Sequence, residues 1–431
     1  MDILHHEETG DPVTAAPAEA VAGPSRNVLA FLIATVLMNA IGFTVIMPVA
    51  PFIVQEYLGN SASLAQVVGW LAACYALCEF IAAPGLGALS DRYGRRPLLL
   101  LCLLGSAIGY VIFGIGGALW VLFLGRIIDG LTGGNISILF AYIGDVTPPE
   151  QRGKVFGQVG AMGGVGFIIG PALGGFAAHF GYSVPLFIAA GVCLVNTLWG
   201  YFFMPESLAA EHRSHTTSLS DLNPIGQIGK LFAMVRLRWL LVVGMCYAFP
   251  FALFVTEFGV LSIEKLGWGP SQIGLVSLLV GGTDIIMQGV VAGRLLPIFG
   301  PVKMTIAGLI AEIVSYLLVG AVALVPSPLL MLVGIFMFAF GSGLLEPALG
   351  GLVSAAAGPR EQGIVQGGNQ AIRSLLNIAG PLLAGLLYAR FGGAVPFGVG
   401  AVILALGIVA AVLAVPFLPA QQRDAERAEA Y

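Results

Sequence analysis

The sequence predicts an all-α polytopic membrane protein, and three observations support this prediction. The chain of 431 residues is 58% hydrophobic and only 10% charged, whereas a soluble globular protein carries about 25% charged residues. Its apolar residues lie in runs of roughly 20, the length of helix that crosses a hydrocarbon core of about 30 Å. The alternating segments of about ten residues that mark a transmembrane β-barrel are absent. A soluble enzyme is therefore excluded first.

Twelve apolar runs are long enough to span a bilayer, and one polar stretch divides them into two groups of six. That stretch, 206–238, is predicted to be a cytoplasmic linker between six-helix bundles at 27–205 and 239–418. Residues 1–26 are predicted to form a disordered tail, and 419–431 a second tail. The predicted spans are 28–54, 65–89, 97–117, 119–145, 154–180, 183–204, 239–262, 271–295, 302–325, 328–356, 364–390 and 394–417.

The basic residues of the loops predict the orientation of the spans, because cytoplasmic loops carry an excess of Lys and Arg. With both termini in the cytoplasm, Lys265 and Arg390 alone among the 19 basic residues lie on the outer side, while Arg126 and Arg373 lie within spans. The chain begins with no basic segment followed by an apolar core, so no cleaved signal peptide is expected. We therefore expect both termini to be cytoplasmic.

Composition and motifs argue against several other functions. The formal net charge is −4, which does not suggest binding to nucleic acid. The five cysteines lie in apolar runs, without the spacing of a zinc site or a disulfide framework. No phosphate-binding GxxxxGK[ST] loop, HExxH motif or GxSxG nucleophile elbow occurs. We expect no metal, no nucleic-acid partner and no site for ATP.

The two halves of the chain repeat a pattern of glycine and proline. Parallel six-span repeats, related by an axis along the membrane normal, place a cavity between the halves near the midplane. The repeated positions are Gly87 and Gly94 against Gly293 and Gly300, and Gly170, Pro171 and Gly175 against Gly380, Pro381 and Gly385.

The loop between spans two and three combines three arginines, one carboxylate and two glycines. It reads Gly87-Ala-Leu-Ser-Asp91-Arg92-Tyr-Gly94-Arg95-Arg96. From the residues alone, the loop is a cationic anchor at the cytoplasmic face. The order also resembles the signature loop of the major facilitator superfamily, G-x-L-[SA]-D-R-x-G-R-[RK]. We expect it to govern conformational switching, because it lies far from the midplane where a substrate would bind.

Span five carries glycines at four-residue spacing together with a proline, a pattern that allows close helix packing and bends the helix. Its residues are Gly166, Gly170, Pro171, Gly174 and Gly175. This order is similar to the G-x-x-x-G-P-x-x-G-G motif of drug:proton antiporters, and Arg126 with Gly130 resembles the R-x-x-x-G element of the same superfamily. With the signature loop, these motifs resemble the bacterial tetracycline-type efflux pumps over nearly the whole chain.

This resemblance implies the major facilitator fold, with twelve helices in two six-helix bundles around a central cavity. It implies a multi-pass protein of the bacterial inner or plasma membrane. The antiporter motif would form a bend and a packing surface that disfavour leak during alternation. The implied partners are a small-molecule substrate and the lipid bilayer, the implied coupling ion is the proton with no other cofactor, and the implied working unit is a monomer.

Ionisable residues within the spans are candidates for function, because a charge at the bilayer centre costs about 2.5–3.5 kcal/mol on the insertion scale. Arg126 and Asp129 are three residues apart, close to one helix face, so they either neutralise each other or take part in coupling. The six carboxylates and two arginines are Glu79, Asp129, Glu257, Asp284, Glu312, Glu346, Arg126 and Arg373.

The same resemblance suggests which acids carry the proton. Glu312 matches a membrane-embedded Asp in span nine of the tetracycline pumps, whereas Asn39 and Gly109 stand where those pumps have two further Asp residues. A buried carboxyl group can take up a proton on one side and release it on the other. We expect proton coupling at Glu312, Asp129 and Glu346, with Arg126 modulating Asp129.

Polar and aromatic side chains from several spans are predicted to line the substrate cavity. Aromatic faces and a carboxylate suit a planar, apolar ligand that can be cationic, although the same aromatics can instead pack against lipid. The Gly-Ser-Gly before Glu346 and Pro347 predicts a break in span ten near the cavity. The candidate cavity residues are Asn39, Phe254, Glu257, Asp284, Asn369, Arg373 and Asn377.

Three function classes follow from these observations. The first is proton-coupled export of small amphiphilic compounds, such as a drug or an antibiotic. The second is proton-coupled uptake of a sugar or another small metabolite on the same fold, which the antiporter motif disfavours. The third is a membrane enzyme or receptor, for which no motif and no sizeable soluble domain is present.

Overall fold

A computed structural model describes residues 26–58, 61–208, 211, 213, 224–357 and 362–418. These residues form helices without any strand, and twelve spans are long and apolar enough to cross a membrane, which confirms the predicted fold class. The predicted tails lie outside the described residues, apart from Arg26. Spans 1 to 12 are Val28–Gln55, Ser63–Tyr93, Arg95–Ile115, Leu119–Val146, Gln158–Phe180, Val184–Phe203, Val235–Leu266, Pro270–Phe299, Pro301–Val322, Pro328–Ala356, Gly367–Phe391 and Ala394–Phe417.

Two spans of the first half are broken helices. Span 1 consists of Arg26–Val45 and Ala50–Gln55, separated by a turn that contains Pro48, where the missing backbone donor interrupts the helical hydrogen bonds. Span 4 consists of Leu119–Thr132 and Asn135–Val146. The two glycines between these helices are poor helix formers, and they also allow close packing against span 2.

Span 8, and not span 10, carries the irregular backbone of the second half. Its helix Pro270–Ile286 passes into a π-helical turn, Met287–Ala292, and continues as Gly293–Phe299. Span 10 is one helix, Pro328–Ala356, so the break predicted near Pro347 is absent. Its glycines serve packing instead, since a Cβ at Gly343 would collide with the Met287 side chain.

Several helices extend beyond the spans, and one further helix lies between the two halves. The helix of span 2 begins at Ser61, that of span 5 at Pro149 and that of span 11 at Gln362. Short 3-10 turns, Ala178–Phe180 and Val415–Phe417, end spans 5 and 12. Between the two halves, the helix Pro224–Ala233 packs against span 11, where its fully buried Leu231 covers Gly368.

Within each half, two spans cross backbone to backbone at glycines. A Cβ added to Gly125 of span 4 would lie 2.8 Å from the carbonyl oxygen of Gly109 in span 3. In the second half, a Cβ added to Gly308 of span 9 would lie 2.8 Å from the carbonyl oxygen of Gly341 in span 10. These two glycine crossings join spans 3 and 4 in the first bundle and spans 9 and 10 in the second, which are corresponding pairs of spans, although their glycines are not those of the predicted repeat.

The two bundles meet at one face of the molecule, here called the closed face, where spans 2 and 8 begin. A Cβ on Gly274 of span 8 would lie 2.6 Å from the carbonyl oxygen of Pro171 in span 5. A Cβ on Gly385 of span 11 would lie 2.7 Å from the carbonyl oxygen of Ala65 in span 2. The repeated glycines of spans 5 and 11 therefore make equivalent contacts across the two bundles.

The opposite face, here called the terminal face, is where span 1 begins and span 12 ends. Toward this face, a Cβ on Gly87 of span 2, Gly160 of span 5 or Gly293 of span 8 would meet no described atom within 4 Å. The glycine contacts found near the closed face therefore have no counterpart at these three positions.

We predict that Gly175→Val loosens the closed face, because its side chain would begin 2.6 Å from the carbonyl oxygen of Pro270. Overpacking of this kind costs about 1–3 kcal/mol, equivalent to a factor of about five or more in a conformational equilibrium. The reporter is Gln66→Cys in a cysteine-free background, at the other crossing of the closed face. A membrane-impermeant maleimide should label it about fivefold faster or more.

The matched control is Gly191→Val in span 6, where an added Cβ meets no described atom within 4 Å. This variant should leave the labelling rate unchanged. Equal rates for Gly175→Val and Gly191→Val would contradict a closed face held by glycine contacts.

Candidate functional site

The loop between spans 2 and 3 is the centre of a polar network at the terminal face. Asp91 forms an ion pair with Arg95, whose Nε lies 3.2 Å from Oδ2 of Asp145 at the end of span 4. The Arg95 guanidinium also donates to Oγ of Ser90 at 2.7 Å. Gly94 turns the chain with φ +106°, a backbone conformation that favours glycine. One buried arginine therefore connects spans 2, 3 and 4.

Glu206, at the start of the predicted linker, completes this network. Its Oε1 accepts the backbone N–H of Arg95 at 2.8 Å and its Oε2 that of Arg96 at 3.2 Å, so a carboxylate caps the N-terminus of span 3. The hydroxyl of Ser207 donates to Oδ2 of Asp145 at 3.0 Å. The sequence pattern did not indicate Glu206, because no local spacing links it to a loop 110 residues earlier.

The remaining arginines of the loop contact aromatic rings. The Arg92 guanidinium lies 5.3 Å from the centroid of the Tyr93 ring. Arg96 donates to the backbone carbonyl of Tyr201 in span 6 and lies 5.8 Å from the centroid of that ring. The loop is thus fastened to spans 2, 3, 4 and 6, all within the first bundle.

The antiporter motif of span 5 faces two different helices. Gly166 and Gly170 pack on span 1, where a Cβ on Gly166 would lie 2.8 Å from the carbonyl oxygen of Leu37. Gly174 packs against Pro48 of the same span. Pro171 and Gly175 instead contact span 8 across the closed face. One short motif therefore contributes both to packing within the first bundle and to the contact between the bundles.

In the first bundle, the predicted pair of Arg126 and Asp129 forms. Nη1 of Arg126 lies 3.3 Å from Oδ2 of Asp129, and both side chains are buried. The guanidinium also lies 4.7 Å from the centroid of the Tyr75 ring. Glu79 of span 2 lies within electrostatic reach of both charges. The carboxylate at the glycine crossing of this bundle thus has its counter-charge beside it.

In the second bundle, the carboxyl group at the glycine crossing has no such partner. Glu312 lies four residues after Gly308 and is 1% exposed. A Cβ on Gly341 would lie 2.9 Å from its Cγ, and its Oε1 has no hydrogen-bond partner among the described residues. The charged groups within electrostatic reach are two acids, Glu346 and Asp284.

A cavity of ≈ 270 Å³ lies beside this crossing, between spans 7, 10 and 11. The hydroxyl of Tyr247 donates to Oε1 of Glu346 at 3.3 Å. Arg373 is exposed and lines the cavity. Among the described residues it forms no ion pair or hydrogen bond, and it lies within electrostatic reach of Glu346. The polar residues that line the cavity are Tyr247, Glu346, Asn369, Gln370 and Arg373.

Two predicted cavity residues lie near this cavity without lining it. Asp284, beside the π-helical turn of span 8, accepts hydrogen bonds from Gln288 at 2.7 Å and from Ser342 at 3.2 Å. Asn377 is exposed on span 11, one turn beyond Arg373. In the first bundle, the amide of Asn39 donates to Oδ1 of Asn135 at 2.6 Å.

Two other predicted cavity residues, Phe254 and Glu257 of span 7, are buried in the core of the second bundle and line no described cavity. The Phe254 ring stacks on Phe338 with centroids 4.1 Å apart and also packs against Tyr316. Glu257 is 0% exposed, and neither carboxyl oxygen has a hydrogen-bond partner among the described residues. The aromatic residues there belong to the core, whereas the sequence pattern missed Gln370 of the cavity.

We predict that Arg126→Gln destabilises the protein more than the double variant Arg126→Gln with Asp129→Asn. Removing one partner of a buried ion pair costs about 3–5 kcal/mol, because the other charge stays buried without compensation. Replacing both by neutral amides removes that cost. The measurement is the midpoint of thermal unfolding of the purified protein, with Asp129→Asn as the fourth corner of the cycle. Additive effects would contradict a coupled pair.

Comparisons with known proteins agree with this architecture. The family model described as "Major Facilitator Superfamily" matches residues 32–269 and 240–430. The chain is 33% identical over 371 residues to "Tetracycline resistance protein, class C" of Escherichia coli, covering 85% of this chain and 90% of that protein. It is 30% identical over 373 residues to "Multidrug resistance protein 2" of Bacillus subtilis (strain 168), covering 84% and 89%.

Solved structures show the same fold. The human organic anion transporter MFSD10 (TETRAN) is similar with a TM-score of 0.68 and 23% identity, covering 90% of this chain and 100% of that one. The nucleoside transporter NupG (D323A mutant) is similar with a TM-score of 0.70 and 12% identity, covering 90% and 99%. This chain, with its glycine crossings, signature loop and span 5 motif, therefore belongs to the Major Facilitator Superfamily.

Proposed function

We propose that this protein is a proton-coupled secondary transporter of the bacterial inner membrane that exports small amphiphilic compounds in exchange for protons. The relatives named for tetracycline and multidrug resistance support export of such compounds. The observation that carries the proposal is Glu312, a buried carboxyl group without a counter-charge among the described residues, beside a cavity of ≈ 270 Å³. Uptake of a sugar or another metabolite, the alternative, is not favoured by these relatives.

The energy for uphill export is taken from the ion gradient. Each elementary charge that moves through 100 mV releases about 2.3 kcal/mol, enough for a substrate gradient of about fortyfold from the potential alone. No motif for ATP binding occurs in the sequence. Inward flow of protons through buried carboxyl groups is therefore the proposed driving force.

Glu312 suits this role because an ionised carboxylate at its position would be costly. Its described neighbours offer neither a cation nor a hydrogen bond to Oε1, so the group is expected to hold a proton in this conformation. The proton can leave when a route to water opens on the cytoplasmic side. Glu346, which lines the cavity, is the proposed point where substrate and proton exclude each other.

Asp129 has a different role in this proposal. The ion pair with Arg126 already compensates its charge at the crossing of the first bundle. A change in that pairing would alter the affinity of Asp129 for a proton, so we assign Arg126 as the modulating residue. In this proposal Glu312 and Glu346 carry out the exchange of substrate and proton, and Asp129 contributes a second proton-binding group whose affinity depends on Arg126.

We also propose that the terminal face is cytoplasmic, which places both termini and the linker inside the cell. The basic loop of Arg92, Arg95 and Arg96 lies on this face, in keeping with the excess of cationic residues in cytoplasmic loops. A cysteine introduced at Thr216 of the linker should react with an impermeant maleimide only after the cells are opened. Labelling of intact cells would reverse the orientation.

We predict that Glu312→Gln abolishes proton-driven export and preserves exchange of substrate for substrate. The amide keeps the shape of the side chain but cannot bind and release a proton, whereas exchange needs only the alternation of the cavity. The measurement is transport of a fluorescent amphiphile by inverted membrane vesicles, with and without a pH gradient, alongside counterflow at equal pH. Export that persists after the proton gradient is dissipated would contradict proton coupling.

Asp91→Asn is the comparison variant in the same assay. It weakens the ion pair with Arg95 at the terminal face and leaves the carboxyl groups of the spans intact. It should therefore slow gradient-driven export and counterflow together, since both require conformational switching. Two results would contradict a role of Glu312 in proton coupling. The first is full gradient-driven export by Glu312→Gln, and the second is loss of counterflow by Glu312→Gln while Asp91→Asn retains it.

A further inference from the structure

The cavity of the second bundle holds groups of both charge signs that lie within electrostatic reach of each other but form no described ion pair. Glu346 of span 10 and Arg373 of span 11 both line it. Arg126 and Asp129 of the first bundle form an ion pair with atoms 3.3 Å apart, whereas no described ion pair joins Glu346 to Arg373. The acid accepts a hydrogen bond from Tyr247, which leaves the guanidinium without a direct contact from an anion among the described residues.

Arg373 is presented by a polar face of span 11. Asn369, Arg373 and Asn377 follow one another at four-residue spacing, so they share a face of the helix. Arg373 and Asn377 are exposed, and Asn369 lines the cavity with Gln370. The amides supply neutral donors and acceptors around the guanidinium, and no carboxylate occurs on this stripe.

A guanidinium group favours a particular kind of ligand. It offers five N–H donors in a planar fork that matches a carboxylate in a two-point contact. It also keeps its charge throughout the physiological pH range. Glu346, on the other wall, offers a carboxylate that suits an ammonium group. A ligand with one charge of each sign compensates both walls, whereas a ligand with a single cation leaves Arg373 uncompensated.

The rest of the lining is apolar. Leu240, Leu241, Leu349 and Val353 surround the charged groups, and the Tyr247 ring lies 5.8 Å from that of Phe251 by centroids. Specific pockets for small molecules are usually mostly apolar with a few placed polar groups and measure roughly 300–1,000 Å³. At ≈ 270 Å³ this cavity lies just below that range, so it suits a compact ligand that combines an apolar part with polar or charged groups.

We propose that this cavity binds zwitterionic amphiphiles, with an anionic carboxylate at Arg373 and a cationic amine at Glu346. The inference rests on the proposed function in one respect, that the cavity is the substrate site of an exporter. It goes further by naming the charge pattern of the substrate. Exchange with protons at Glu346 requires only a cationic group on the substrate, whereas the contact with Arg373 adds the requirement for an anionic group. Arg373 then selects among cationic compounds for those that also carry an anion.

The test compares two dyes that differ at one group. Rhodamine 110 carries a free carboxylate beside its cationic ring system, and rhodamine 123 is its methyl ester and carries the cation alone. Binding of each dye to the purified full-length protein is measured by fluorescence anisotropy. Loss of a charge-assisted contact typically weakens binding about tenfold or more. We expect Arg373→Gln to weaken rhodamine 110 by that factor and to leave rhodamine 123 unchanged.

Two further variants separate charge from folding. Arg373→Lys keeps the cation without the planar fork and should retain part of the preference for rhodamine 110. Arg390→Gln removes the same charge near the closed-face end of the same span and should leave the binding of both dyes unchanged. Unchanged binding of rhodamine 123 by Arg373→Gln shows that the variant is folded.

The outcomes distinguish this inference from the proposed function. Equal weakening of both dyes by Arg373→Gln, no weakening of rhodamine 110, or no binding of either dye to the wild type would overturn the inference. Transport of the dyes in proteoliposomes under a pH gradient is measured separately. Binding of rhodamine 110 that depends on Arg373, without proton-driven transport of either dye, would refute the proposed function alone. Proton-driven transport of the dyes, with rhodamine 110 binding unaffected by Arg373→Gln, would refute the inference alone.

Discussion

Close contact between helix backbones at glycines is the constraint on which the rest of this structure depends. Lipid tails are as apolar as the helices, so helices in a bilayer associate through close packing and not through burial from water. At Gly109 and Gly125 in one bundle, and at Gly308 and Gly341 in the other, backbones approach within the space that a side chain would fill. These crossings hold together the helices that carry Asp129 and Glu312.

Each of the two glycine crossings has a carboxyl group beside it, but the two groups belong to spans that do not correspond in the two bundles. Asp129 lies four residues after Gly125 in span 4, whereas Glu312 lies four residues after Gly308 in span 9. The first has Arg126 at 3.3 Å, and the second has no described counter-charge. A repeated scaffold thus carries a neutralised site in one bundle and an uncompensated site in the other, beside the cavity that holds Glu346 and Arg373.

Glycine contacts also connect the bundles to each other. Gly175 against span 8 and Gly385 against span 2 close one face, while the network of Arg95 and Glu206 stays within the first bundle at the other face. Each bundle is therefore held together by its own glycine crossings, while separate glycine contacts join it to the other bundle at the closed face. This is the arrangement that alternating access requires.

The sequence by itself determined the twelve spans, whose predicted bounds agree with the structure within four residues, because apolar length is a local property. It also determined that Arg126 and Asp129 are neighbours, since three residues bring two side chains onto one helix face. The tertiary structure alone decided that Phe254 and Glu257 lie in a core, that span 8 and not span 10 is irregular, and that Glu206 reaches the loop at Arg95. In a soluble helix the polar face marks the outside, but in a membrane span apolar residues face both lipid and core, so the orientation of each helix depends on the neighbours that pack against it.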